Sequence, residues 1–102
     1  MATPTDFEEK VLRALKKIPR GKITTYNALA RAVGHPRAAR AVGNALKKNP
    51  NLIKCPCHRV VKSDGRVGGY ARGEKKKIQI LRKEIKIKDG EVVDFEKALF
   101  RF

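Results

Sequence analysis

Phe7, Val11, Leu15 and Ile18 recur at the three- and four-residue spacing of one helix face until Pro19 ends the run, and Thr5 with Glu8 offers a capping box at its start. A turn at Arg20 and Gly21 follows. Ile23 leads into a second, shorter helical stretch carrying Tyr26, Leu29, Ala30 and Val33, with Gly34 as its C-terminal cap. After His35 and Pro36, residues 38–48 place Ala39, Ala41, Val42, Gly43, Ala45 and Leu46 on one side of a third helix. Two short helices around a tight connection read as a helix-turn-helix, the second bearing Arg37, Arg40, Lys47 and Lys48.

Asn49, Pro50 and Asn51 stop that helix, and Val60 with Val61 reads as a short strand running into a turn at Ser63, Asp64 and Gly65. Gly68, Gly69 and Gly73 mark a loop. Helical spacing returns over 74–84 with Ile78, Leu81 and Ile85, the lysines and arginines lying on the solvent side. Residues 85–93 alternate around Asp89-Gly90 as a small hairpin, and Phe95, Leu99, Phe100 and Phe102 are placed to cover an open edge.

One domain, residues 1–102, is the expectation for a chain of 102 residues, which has room for a single core. Charge adds more. Twenty-five Lys and Arg against ten Asp and Glu leave +15, a self-repulsion that a polyanionic partner would relieve. No signal-like start and no stretch of about 20 apolar residues is present, so an intracellular, cytoplasmic protein without membrane attachment is expected. Cys55 and Cys57 flank Pro56, a spacing too tight for an ordinary structural disulfide.

Cys57 is followed directly by His58. A thiol of pKa about 8.5 needs a base or a positive field to act as a nucleophile, and an adjacent imidazole can be that base. Chance adjacency is the plain alternative. A zinc site from Cys55, Cys57, His58 and His35 is another, but the single-residue cysteine spacing does not suit paired ligands, so no metal is assigned.

The segment Pro56-Cys57-His58-Arg59-Val60 resembles the active-site signature of the O6-alkylguanine-DNA alkyltransferases. The resemblance extends through 21–26, 38–45, Asn49-Pro50 and Gly65, Val67, Gly68 and Tyr70, covering about residues 5–85 and leaving 86–102 as a tail. It implies a mainly helical α+β, winged-helix-like domain whose short strand carries the active-site Cys57. It further implies that Cys57 accepts an alkyl group, that His58 activates it through a bound water, and that Glu84 on the last helix orients His58. Asn49 would brace the turn before the strand. Tyr26 would hydrogen-bond the extruded guanine and crowd its phosphate.

By the same resemblance, Arg40 would fill the vacated base stack, and Ala39, Arg37, Gly43 and Lys47 would share the DNA face. Val60, Tyr70, Ala71, Arg72 and Gly73 would wall the guanine pocket, with Lys77 near O6. Two positions depart from the family pattern: Arg72 stands where a small residue is common, and Cys55 where an aliphatic one is usual, read here as a small hydrophobe. The implied activity is DNA repair by a single-turnover transfer from O6-alkylguanine, and from O4-methylthymine, without cofactor. The implied partner is duplex DNA, bound through the minor groove by a nucleoid-associated monomer with base flipping.

Many relatives carry an N-terminal domain to which nothing in these residues corresponds. Three rivals compete. Alkyltransferase-like lesion binders resemble this family with the acceptor cysteine replaced, which Cys57 opposes. A helix-turn-helix regulator leaves Pro56 to Val60 unexplained, and a Cys-His hydrolase lacks an oxyanion motif.

Overall fold

The computed structural model describes residues 5–48, 56–68 and 73–102. Helix α1 (Asp6–Leu15) opens with the anticipated capping box: the Glu8 amide donates to Thr5 Oγ1 at 3.1 Å and the Thr5 amide to Glu8 Oε1 at 3.0 Å. Helix α2 (Tyr26–Ala32) is capped by the Thr25 hydroxyl, which accepts from the Ala28 amide at 3.0 Å. Gly34, at φ +85°, takes the left-handed conformation that ends it. Helix α3 (Ala39–Lys47) completes the helix-turn-helix.

The three helices meet along their apolar stripes. Val11, Ala14, Leu15, Ile18, Leu29, Ala30, Val42, Ala45 and Leu46 form one buried cluster, which also takes in Cys57 and Val60. Ala41, expected on the packed side of α3, is exposed. Close packing there falls to Val42, Ala45 and Leu46, whose spacing defines a narrower stripe.

Strand β1 (Thr24–Thr25) pairs in parallel with β2 (Val60–Val61), Thr24 opposite Val60 and Thr25 opposite Val61. The first of these strands was absent from the sequence expectation, because two residues between a turn and a helix leave no alternation to read. Alternation across β2 sends Val60 into the helical cluster and Val61 into a second one with Ile23, Val67, Leu81, Val92 and Ala98. This strand pair is therefore the seam between two small cores.

Cys57 does not lie on β2. It starts a one-turn 3-10 helix (Cys57–Arg59), preceded by Pro56, that leads into the strand at Val60. Helix α4 (Glu74–Arg82) ends two residues before Glu84, which sits in the turn that follows. Lys77, expected on the solvent side of α4, is completely buried.

Strands β3 (Ile87–Lys88) and β4 (Glu91–Val92) form the antiparallel hairpin anticipated around Asp89-Gly90. Both turn residues have positive φ, 53° and 75°, the signature of a type I′ turn. Main-chain bonds from Val67 to Gly90 and from Val92 to Gly65 fasten this hairpin to the segment after β2. The short helix α5 (Phe95–Ala98) then returns the tail to β1: the Ile23 amide donates to the Ala98 carbonyl at 2.9 Å and the Phe100 amide to the Ile23 carbonyl at 2.7 Å. The tail thus covers the edge beside β1, while Phe102 stays exposed. The result is a mainly helical α+β domain.

Candidate active site

Cys57 is the buried end of the site, its residue only 5% exposed inside the helical cluster. Its thiol donates to the Leu46 carbonyl at 3.7 Å. That carbonyl belongs to the last turn of α3, where carbonyls lack partners within the helix, so the Cys57 thiol is coupled to the end of the helix-turn-helix. A helix C-terminus disfavours an anion nearby. A Cys57 thiolate therefore needs positive charge from elsewhere.

Lys77 supplies it. Its Nζ donates to the Val60 carbonyl at 2.6 Å and stands 5.9 Å from the centre of the Tyr26 ring. Burial lowers the Lys77 ammonium to about 8, with partial restoration by Cys57 and then Glu74 as negative neighbours. The attraction is mutual, so the ammonium favours the thiolate in turn. Tyr26 is raised by burial and then by the Cys57 charge, which keeps its hydroxyl a donor at neutral pH. Its ring lies against α3 where Gly43 leaves room; a Cβ there would stand 3.9 Å from the ring.

His58 and Glu84 form the other half. His58 Nε2 lies 2.9 Å from Glu84 Oε2, with the two side chains 9% and 5% exposed. Burial works to raise the Glu84 carboxyl, but hydrogen bonds from Arg59 and His58 outweigh it and hold the group below its ordinary value. An ionised carboxylate can only accept, so Nε2 carries the hydrogen and Nδ1 keeps a free lone pair. His58 is itself lowered, burial exceeding the opposing pull of Glu84, so the ring is neutral near pH 7 and able to take a proton.

Arg59, placed in the signature without a role of its own, grips Glu84 with two bonds: Nε to Oε1 at 2.8 Å and Nη2 to Oε2 at 3.1 Å. Its Nη1 donates to the Ile18 carbonyl at 2.9 Å. Arg20 adds a weaker approach of 3.9 Å to the same carboxylate and donates to the Lys83 carbonyl at 3.0 Å. Sequence patterns do not disclose either contact, because each joins residues far apart in the chain.

The exposed side of the helix-turn-helix carries Arg37, Arg40, Ala41, Asn44 and Lys47, a stripe opposite the buried Val42, Ala45 and Leu46. Ala39 and Gly43 are half-buried at its border. Lys48 is engaged with Glu8 at 3.6 Å. His35, weighed as a metal ligand, packs edge-on against Phe7 at 5.5 Å between ring centres. Asn49, Cys55, Tyr70, Ala71 and Arg72 lie outside the described residues.

The family model for the DNA-binding domain of 6-O-methylguanine DNA methyltransferase matches residues 6–86. A methylated-DNA–protein-cysteine methyltransferase of Methanosarcina barkeri is 52% identical over 69 residues, covering 68% of this chain and 44% of that protein. Mycobacterium tuberculosis OGT in complex with DNA shares 43% identity at a TM-score of 0.78, over 80% of this chain and 50% of that one. S. pombe Atl1, in complex with damaged DNA containing O6-carboxymethylguanine, shares 32% identity at a TM-score of 0.84, over 97% of this chain and 99% of Atl1. The chain spans between 23% and 48% of the length of four curated relatives it matches. With the family model across most of its length and a full-length structural counterpart, the chain belongs to the 6-O-methylguanine DNA methyltransferase family of DNA-repair proteins.

Proposed function

We propose that the chain removes the alkyl group from O6 of guanine in duplex DNA, and from O4-methylthymine, and transfers it irreversibly to Cys57. The observation that carries this reading is the buried line Cys57, His58 and Glu84 set beside Tyr26 and Lys77. His58 Nδ1 takes the Cys57 proton through a bound water, and the sulfur displaces guanine from the alkyl carbon. The S–H and alkyl C–O6 bonds break and the S–C bond forms. The proton is returned to guanine N1, with the Tyr26 hydroxyl and the Lys77 ammonium as donors facing the leaving base. Nothing in this set of side chains can cleave the resulting thioether, so each molecule acts once without a cofactor.

The thiol of a cysteine that is only 5% exposed cannot reach a base inside a duplex, so the nucleotide must be flipped out at a cost of about a few kcal/mol. The stripe from Arg37 to Lys47 serves as the DNA face in the minor groove, with Arg40 in the vacated stack. By correspondence with the family motif, Tyr70, Ala71 and Arg72 are assigned with Val60 to the recognition of guanine, and Asn49 to support of the segment ahead of Cys57. The unit is one domain, working as a monomer on nucleoid DNA in the cytoplasm; among the described residues no helix is long and apolar enough to cross a membrane.

Intact mass after mixing with an O6-methylguanine oligonucleotide tests the reading. One methyl per protein on Cys57 is expected, and turnover beyond one equivalent would overturn it. The full-length likeness to Atl1 favours a second reading, a protein that holds the lesion without chemistry, for which the mass would not change. Affinity for undamaged duplex is expected to be weak, independent of sequence, and to fall steeply with salt, as cationic side chains displace counterions from phosphates. A titration across salt concentrations checks it; retention of one preferred sequence at high salt would indicate a regulator.

A further inference from the structure

Arg59 donates two hydrogen bonds to the Glu84 carboxylate, at 2.8 and 3.1 Å, and a third to the Ile18 carbonyl at 2.9 Å, with a side chain only 16% exposed. Its planar fork spans both carboxylate oxygens, leaving the carboxylate a single orientation in which Oε2 meets His58. The third bond, to the Ile18 carbonyl, ties the fork to the segment after α1. Building on the transfer reading above, we propose that Arg59 is a positioning residue for alkyl transfer: it fixes Glu84 against His58 and holds the imidazole ready as the base.

The charges around this pair come from several elements. Glu84 faces His58 and Arg59 on the 3-10 turn and Arg20 after α1. His58 faces Glu84, with Arg59 and the Lys77 of α4 as positive neighbours that both push its pKa down. Removing the Arg59 charge takes away one of the two positive neighbours that oppose Glu84 at His58 and leaves Lys77 as the other, so the imidazole holds its proton to higher pH. A base that is protonated cannot accept, and the acid limb of the transfer rate must then move upward. A lysine keeps the charge but cannot span both oxygens.

The experiment compares native protein, Arg59→Gln and Arg59→Lys in single-turnover transfer from a methylated duplex over about pH 5 to 9, with His58 followed by NMR in the absence of DNA. Arg59→Gln should move the acid limb and the His58 titration up by about one pH unit, a tenfold loss at a fixed acidic pH. Arg59→Lys should keep the limb near its native place and slow transfer at every pH. A purely structural role would lower the melting temperature and scale the rate equally at all pH values, with the His58 titration unmoved. An unmoved limb in Arg59→Gln overturns the proposal. If that variant does not fold, a native rate in Arg59→Lys overturns it instead. Failure of the native protein to gain a methyl removes the transfer reading, whereas a methylated native protein with an unshifted variant removes only the role of Arg59; the NMR titration reads the positioning in either case.

Discussion

Cys57→Ser is expected to abolish methyl transfer while leaving binding to duplex DNA unchanged. Serine preserves the size of the side chain and can donate to the Leu46 carbonyl, so the packing of α3 against the 3-10 turn survives. Chemistry is lost because a hydroxyl is far less acidic than a thiol, and a neutral imidazole of lowered pKa cannot ionise it. The proposed DNA face, the exposed Arg37 ahead of α3 with Arg40 and Lys47 on it, lies away from the buried Cys57 and is untouched. The measurement is intact mass with peptide mapping beside a binding titration. Transfer persisting in the variant, or methyl found on Cys55, would remove Cys57 from its role.

Much of this arrangement is written locally. The capping box at Thr5, the stop at Gly34 and the turn at Asp89-Gly90 each depend on side chains or φ values within four residues, and each lies where its motif placed it. The strand pairing of Thr24 with Val60 rests on contacts between distant segments, and two-residue strands carry no periodicity to announce them. Lys77 shows a different failure. Composition assigns a lysine to solvent, yet it precedes Leu81 by one helical turn and so shares its buried face.

The site divides along the same line. Cys57 and His58 are legible because a thiol and an imidazole stand side by side in a motif of five residues. Glu84 came from the spacing of the family, and the structure moves it off the helix into the turn after α4. Arg59 was visible as a letter and silent as a contact. A bidentate grip on a carboxylate 25 positions away has no signature in either residue's neighbourhood.

Arg40→Ala is expected to slow repair of duplex DNA markedly and to leave reaction with a free O6-benzylguanine base nearly unchanged. Arg40 is exposed near the start of α3, on the side opposite Val42, Ala45 and Leu46, so its loss opens no cavity and costs little stability. The buried line from Cys57 to Glu84 does not include it. If its guanidinium fills the space left by the flipped nucleotide, its removal raises the energy of the flipped state and hence the barrier on duplex, by about 1–3 kcal/mol or roughly five- to 150-fold in rate. A free base requires no flipping, so the same substitution leaves its barrier alone, provided the pocket admits the benzyl group. The ratio of the two rate constants, variant over native, is the readout. Equal loss on both substrates would assign Arg40 to the fold or to the pocket. No loss on duplex would reduce it to one more charge on the exposed stripe, whose only effect would be a smaller salt slope.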